Sequence, residues 1–499
     1  MSLILAIDQG TTSSRAIIYD EQLQPLGQAQ VEVPPTYPQP GWVEHDALTL
    51  LQSVRTVVGQ VLAQTQIRFS SLAAIGITNQ RETAVVWDRN TGQPIGPAIV
   101  WQDRRTAGFC ERHAEHRERL ANRTGLVLDP YFSATKFAWL LDHAPGARRK
   151  AEAGELAAGT MDSWLAWNLT HGQCHVTDRT NASRTLLMDL RTGQWADDLC
   201  EFFGVPPELL PEIRPSRSDF GEMHLGTPGS PARPILAMAG DQQASLFGQG
   251  GFGPGQAKCT YGTGAFLLAH TGSSPVRSSA GLVTTAAATG AGPFAFALEG
   301  SVFVAGAAVQ WFRDGLQAIG AAPEIDRLYH QGRSESGVLF VPALTGLGAP
   351  HWSPAARGTI FGLTRDTSVA DLARATVEGV AFQVAELLDA MRQDLKTPPS
   401  CLKVDGGMAR SDPFLQFQAD LLGLPIIRSP HTESTALGAA LLAGLQAGIW
   451  SSDAEVEALL AGRTTLFEPR RDPTWRSENL ARWRHAINTI VRYYASAQG

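Results

Sequence analysis

The chain has 499 residues, 43% hydrophobic and 18% charged, with Gly 49 and Pro 30. That length predicts two soluble α/β-sized units of roughly 250 residues each, with a cleft between them. A net charge of −7 without any Lys/Arg block excludes a nucleic-acid surface, which needs a basic face to neutralise phosphates, and leaves small molecules as the expected partners.

In chain order, the apolar run Leu3–Ile7 stops at Asp8. Five residues are too few for a signal-peptide core or a membrane span, so the run reads as a strand. Asp8-Gln9-Gly10-Thr11-Thr12-Ser13-Ser14-Arg15 then leads into Ala16–Tyr19, which makes a hairpin with a Gly/Thr/Ser-rich tip. Leu48, Leu51, Val54, Val57, Val58, Val61 and Leu62 recur at helical spacing and predict an amphipathic helix over 47–63. Strands are expected at Ala73–Ile77, Thr83–Trp87 and Ala98–Trp101. Cys110, Cys174, Cys200, Cys259 and Cys401 are widely spaced, with neither a CxxC pair nor a zinc pattern, which fits a reducing compartment.

The opening hairpin has an echo at mid-chain, where Lys258–Tyr261, Gly262-Thr263-Gly264 and Ala265–Leu268 repeat the strand, tip and strand. Beyond it the pattern predicts a helix over Val302–Leu316, another over Val369–Arg392, a strand into Val404-Asp405-Gly406-Gly407, and helices over Pro413–Leu422 and Ser434–Ala447. The Pro/Gly/Ser-rich stretch Gly226–Pro234 reads as an exposed loop, and the domain boundary is set after it, near Gly250: residues 1–250 and 251–499.

No GxxxxGK[ST] exists, so a P-loop is excluded. Gly248, Gly250 and Gly253 fit GxGxxG but follow a predicted helix, whereas the dinucleotide fingerprint follows a strand. The Asp8–Arg15 tip is better suited to an anion. Gly10 lets the backbone approach closely, Thr11, Thr12, Ser13 and Ser14 offer hydroxyl donors, Arg15 brings positive charge, and Asp8 is able to hold a metal. Taken alone, the same residues also make an ordinary exposed turn. Arg81 and Glu82 taken alone are equally a surface ion pair, and Trp101, Tyr131 and Phe266 are core aromatics. Asp241 taken alone is the cap of a helix beginning at Gln242.

In order, IDQGTTSSR from Ile7, NQRET from Asn79, VWQDRR from Val100, DPYFSATK from Asp129, GDQQASLFGQ from Gly240, YGTGAF from Tyr261 and VDGGMARSD from Val404 resemble the FGGY carbohydrate kinases over nearly the whole chain. The resemblance implies two ribonuclease H-like (actin-like ATPase) domains facing an interdomain cleft that takes ATP, Mg²⁺ and a small polyol, with glycerol as the acceptor. It implies that Asp241 accepts the proton of the attacking hydroxyl and that Arg81, Glu82, Trp101, Tyr131, Asp241, Gln242 and Phe266 hold the acceptor. The nucleotide is expected at Thr11, Thr12, Ser13, Arg15, Thr263, Gly306, Gln310, Gly407 and Ser411, and the metal at Asp8 and Asp241. A cytoplasmic homo-oligomer, dimer or tetramer, without nucleic acid or membrane insertion, is implied as well.

Two departures from the family pattern stand out. Ser411 replaces an Asn that many members place beside the adenine or ribose, which bears on nucleotide affinity. The loop Gly226–Pro234 lacks the lysine of the GKGGTR-like loop that binds fructose 1,6-bisphosphate in many members, and its arginine is displaced to Arg233. Weak inhibition by that bisphosphate is expected.

Overall fold

In the first half, β1 (Leu3–Gln9) and β2 (Ser13–Tyr19) pair antiparallel with Asp8 opposite Arg15. β2 continues into β3 (Pro25–Glu32), while β4 (Leu72–Asn79) runs parallel to β1. β5 (Glu222–His224) and β6 (Ala232–Gly240) complete a six-stranded sheet of order β5-β6-β4-β1-β2-β3. The coordinates come from a computed structural model that describes residues 2–226, 230–290, 292, 294–430, 433–462 and 464–496. Residues 227–229, within the stretch Gly226–Pro234 on which the bisphosphate expectation rests, lie outside the described residues, and Ala232–Pro234, read from the sequence as loop, instead begin β6 against β5.

The central strand β1 reads as an unbroken apolar run because it is covered on both faces. Leu5 and Ile7 meet helix α1 (Ala47–Thr65), which turns Leu50, Val54, Val57, Val58 and Val61 onto the sheet. The Asp46 side chain starts this helix by accepting the Thr49 N–H at 2.6 Å. Ile4 and Ala6 point to the opposite face.

The second half repeats the plan. β7 (Ala257–Tyr261) pairs antiparallel with β8 (Ala265–Gly272), as β1 does with β2. With β9 (Val283–Ala286), β10 (Phe296–Val302), β11 (Leu402–Gly406), β12 (Ile426–Arg428) and β13 (Thr465–Phe467), the sheet has the order β9-β10-β8-β7-β11-β12-β13. β11 is parallel to β7 and β12 to β11, matching β4 and β6 of the first half. The duplicated hairpin therefore belongs to a duplicated sheet.

The strand expected at Ala98–Trp101 is confined to Ala98–Ile99, and a predicted helix also falls short of its pattern. Val302–Leu316 does not form a continuous helix. Val302 ends β10, a short helix covers Gly306–Gln310, and Trp311–Gly315 winds as a wider π turn. The apolar run looked continuous because a strand end and a buried helix share the same composition, which periodicity alone does not separate.

Two helices cross between the sheets. α2 (Asp241–Gly248) leaves β6 and meets β7 and β8, while α3 (Ser434–Gln446) follows β12 and packs on β1, β4 and β6. Gly248 being the last residue of α2, the GxGxxG match follows a helix and cannot be a dinucleotide turn. A Cβ at Gly438 would overlap the carbonyl oxygen of Ala244, one at Gly248 that of Ser434, and one at Gly76 that of Ala439. Gly438→Ala gains about 0.5–1 kcal/mol of helix propensity but forces apart two backbones, which costs about 1–3 kcal/mol. The variant is expected to unfold at a lower denaturant concentration than the parent, by equilibrium urea titration.

Candidate functional site

The tips of both hairpins and the start of α2 converge on one cavity of about 610 Å³, lined by Thr11, Thr12, Ser13, Arg81, Glu82, Trp101, Tyr131, Asp241, Gln242, Thr263, Phe266 and Gln310 among others. Residues separated by up to some three hundred positions in the chain thus share one space. Arg15, Gly306, Gly407, Ser411 and Asp8 are not among its lining residues.

Arg81 and Glu82 follow β4 after the single residue Gln80. Glu82 adopts φ +60 at the centre of a tight turn closed by the Thr83 N–H on the Arg81 carbonyl at 2.7 Å. A non-glycine residue there carries about 1–3 kcal/mol of strain, and it persists only where surroundings over-determine it. They do so here. The Glu82 carbonyl accepts from Ser133 Oγ at 3.1 Å and from Lys136 Nζ at 3.3 Å, and Lys136 also donates to the Tyr131 carbonyl at 2.6 Å. Burial pushes the Lys136 ammonium down to about 8, against the pull of Glu82, Asp103 and Asp129.

Both side chains are buried in a lattice of charges. Arg81 grips Glu299 of β10 with two hydrogen bonds, Nη1 to Oε2 at 2.6 Å and Nη2 to Oε1 at 2.9 Å. Its Nη1 also donates to Gln243 Oε1 at 3.2 Å, and its Nε lies 3.3 Å from Asp241 Oδ1 and 3.8 Å from Glu82 Oε1. Arg184 donates from Nε to Glu82 Oε1 at 2.5 Å, places Nη2 3.1 Å from Glu299 Oε1, and lies over the rings of Tyr131 and Phe132 at 5.3 and 5.1 Å. Burial alone would raise the Glu299 carboxyl, but Arg184 and Arg81 hold it at about 2. Burial raises Glu82, with Arg184 and Arg81 opposing.

The aromatic wall is tied to the first hairpin. Trp101 Nε1 donates to Thr11 Oγ1 at 2.9 Å, and its ring meets Tyr131 and Phe266 edge-on at 5.6 and 6.2 Å. Trp101 and Tyr131 also line an adjoining chamber of about 480 Å³, so they form the partition between the two spaces.

Asp241 is the first residue of α2, and Gly240, in extended backbone, is the capping position. The carboxylate accepts the Gln242 N–H at 2.7 Å and stays partly open to the cavity, with 28% of its side chain exposed. Asp241 therefore begins the helix without capping it. Burial raises its pKa, opposed by Arg81 and Lys258. Lys258 is fully buried and donates to Gln242 Oε1 and, at 2.9 Å, to Thr260 Oγ1. Burial pushes Lys258 down to about 8, with Asp405 and Asp241 opposing.

Asp8 ends β1 half-buried, and its carboxyl is raised to about 7 by burial, with Arg15 opposing and Asp241 adding to the rise. The two carboxylates thus act on one another, and a hard divalent cation with oxygen ligands suits such a pair. Among the described residues no group of three or more His, Cys, Asp or Glu makes a preformed metal cage.

The remaining expected nucleotide residues sit as follows. Arg15 donates to Gln30 Oε1 at 2.6 Å and pairs with Glu433. Gly306 begins its helix with its N–H on the Gly262 carbonyl at 2.9 Å, and a Cβ there would stand 2.6 Å from that oxygen. Gly407 opens onto free space, whereas Ser411 caps the helix Asp412–Leu422 by accepting the Phe414 N–H at 3.2 Å and donates to Asp326 at 2.7 Å. Glu299, Arg184 and Lys258 were not singled out from sequence. The available signal was a lone charge inside an apolar strand, Phe296-Ala297-Leu298-Glu299 and Ala257-Lys258-Cys259, which marks a buried charge needing a partner.

Two duplicated α/β lobes with facing hairpin tips and acidic residues in the cleft define the ribonuclease H-like class of phosphate-handling proteins. The profiles of the FGGY family of carbohydrate kinases match the chain with the N-terminal domain at residues 3–248 and the C-terminal domain at 257–447. The chain belongs to the FGGY family of carbohydrate kinases. It is 51% identical over 497 residues to the glycerol kinase of Acidovorax sp. strain JS42, covering 98% of this chain and 99% of that one, and 52% identical over 485 residues to that of Deinococcus radiodurans, covering 97% and 96%. The crystal structure of Plasmodium falciparum glycerol kinase with ADP superposes with a TM-score of 0.91 at 37% identity, covering 98% of each chain.

Lys258 holds Asp241 down through opposite charge, so removing that charge has a definite sign. Lys258→Met is expected to move the Asp241 titration to higher pH, which carboxyl chemical shifts followed against pH will measure; a midpoint unchanged or lower contradicts the assignment.

Proposed function

We propose that this chain transfers the γ-phosphoryl group of ATP to a terminal hydroxyl of glycerol, giving sn-glycerol 3-phosphate and ADP. The observation that carries the reading is the buried Arg81–Glu82 pair facing, together with Asp241, the same cavity that both hairpin tips line. Half-identical relatives across the full length are glycerol kinases by name, which agrees with a short triol as acceptor.

A three-carbon triol has little apolar area, so its recognition rests on hydrogen bonds, those to charged groups contributing about 1.5–3 kcal/mol each. Arg81 supplies donors and Glu82 an acceptor for adjacent hydroxyls, Tyr131 and Gln242 meet the others, and Trp101 and Phe266 cover the carbon face. The Trp101–Tyr131 partition limits how far the acceptor extends. Thr11, Thr12, Ser13 and Arg15 on one hairpin, and Thr263 on the other, are assigned to the phosphates. Gly306, Gln310, Gly407 and Ser411 are assigned to the rest of the nucleotide. In this assignment residues 1–250 carry the phosphate hairpin and the acceptor pocket apart from Phe266, and 251–499 the rest of the nucleotide site.

Asp241 orients the attacking hydroxyl and receives its proton late in an otherwise dissociative transfer. Arg81, 3.3 Å away, opposes the rise that burial gives that carboxylate's pKa. Asp8 and Asp241 would hold Mg²⁺, which when bound neutralises charge on the transferring phosphates.

ADP release with MgATP and a panel of glycerol, dihydroxyacetone, xylulose, ribulose and gluconate tests the reading; glycerol is expected to give the highest kcat/KM. Asp241→Asn is expected to lower kcat by about 10²–10⁴-fold, while calorimetric binding of glycerol and nucleotide is largely kept. Near-parental kcat would remove Asp241 from the proton-accepting role. Arg81→Ala is expected to weaken glycerol use and leave nucleotide affinity nearly intact, so a loss confined to ATP would contradict the pocket assignment.

A further inference from the structure

We propose that Glu299, contributed by the second lobe, is a positioning residue for the phosphoryl acceptor: it clamps the guanidinium of Arg81 from the first lobe, while Arg184 fixes Glu82 in the same lattice. The proposal rests on the reading of this cavity as an acceptor site.

The geometry carries it. Arg81 has five N–H donors in a rigid fork. Two of its terminal nitrogens are committed to Glu299 at 2.6 and 2.9 Å, and Nη1 also meets Gln243. The fork can therefore neither rotate nor translate, and its Nε edge is set 3.3 Å from Asp241 at the cavity. Without Glu299, the nearest carboxylates left to Arg81 are Asp241 and Glu82. The guanidinium would then close on the very groups that meet the hydroxyls, filling their acceptor positions. Glu299 holds the two terminal nitrogens of Arg81 away from them, leaving only the Nε edge beside them.

Charge balance gives the same answer. Arg81, Arg184, Glu82 and Glu299 are each no more than 2% exposed, so two cations and two anions sum to zero away from water. Arg184 Nη1 and Nη2 make no hydrogen bond among the described residues; apart from the two rings beneath it, its charge is met only by Glu82 and Glu299. A buried lattice of this kind contributes little net stability against its desolvation, and is better suited to fixing geometry. Glu299 does not line the cavity, so any effect on the acceptor passes through Arg81.

The test is steady-state kinetics of Glu299→Gln and Glu299→Asp, varying glycerol and MgATP separately, with folding followed by near-UV circular dichroism. Glu299→Gln is expected to raise the glycerol KM by about 10–100-fold, the scale of a lost charge-assisted contact, with the MgATP KM within about twofold. Glu299→Asp keeps the charge and is expected to recover part of the loss. An unchanged glycerol KM in a folded Gln variant, or parallel shifts in both KM values, overturns the positioning role. Should the Gln variant not fold, the Asp variant decides alone, because retracting the carboxylate by one methylene must still raise the glycerol KM. Parental turnover is measured first. Failure of the parent to use glycerol overturns the functional reading, whereas parental use with an unmoved variant KM overturns only this inference.

Discussion

The floor of the cleft is held by a buried exchange of charge between the lobes, Arg81 of the first with Glu299 of the second, and the remaining geometry follows from it. Breaking such a pair by removing one partner typically costs about 3–5 kcal/mol, because the other charge stays buried and unpaired. The crossing helices Asp241–Gly248 and Ser434–Gln446 lie at the same level, packed so closely that glycine is required where they touch.

The same constraint explains why strain is tolerated at Glu82. Its left-handed backbone points a carboxylate toward the cavity while the carbonyl turns back to Ser133 and Lys136. The strain is offset by three fixed groups: the ammonium of Lys136, the hydroxyl of Ser133 and the guanidinium of Arg184. Relaxing the turn would break the hydrogen bonds of a buried cation, which is the costlier change.

Much of this was legible in the sequence. The hairpin Asp8–Arg15 and its echo at Gly262–Gly264 announced a duplicated sheet, because a short apolar strand broken by a Gly/Thr tip has few other readings. The long helices at 47–65 and 369–394 were visible through their 3.6-residue period. The run at 302–316 was not, since it changes from strand to helix to π turn without changing composition. Within the cavity, the motifs led to Thr11, Arg81, Trp101, Tyr131, Asp241 and Phe266 among its lining residues, but not to Gln30, Glu32, Tyr37 or Gln102. Glu299, Arg184 and Lys258 were missed because their importance lies in partners up to 218 positions away, and a lone charge in an apolar strand, as at Glu299 and Lys258, signals burial without saying which partner meets it. The side-chain role of Ser411 is a further case: the motif pointed toward nucleotide, while a serine just before Asp412-Pro413 is equally a helix cap, and its hydroxyl is engaged there with Phe414 and Asp326.

The division of labour between hydroxyl-facing and charge-fixing residues follows from the size of the proposed acceptor. A large sugar brings enough hydroxyls to orient itself, even against side chains with some freedom. A triol brings three, and each unmade hydrogen bond leaves a buried polar group unpaired at a cost of about 1–3 kcal/mol. Selectivity for so small a molecule therefore depends on donors and acceptors whose positions are settled before it arrives, which removes ordering cost from the binding step. Flexible side chains such as arginine and glutamate meet that demand only when their far ends are already engaged. Arg81 is engaged by Glu299 and Gln243, Glu82 by Arg184, and Gln242 by Lys258. In each case a charge buried by the fold, Glu299, Arg184 or Lys258, stands behind the contact, so the costliest elements of the interior are spent on holding the cavity still.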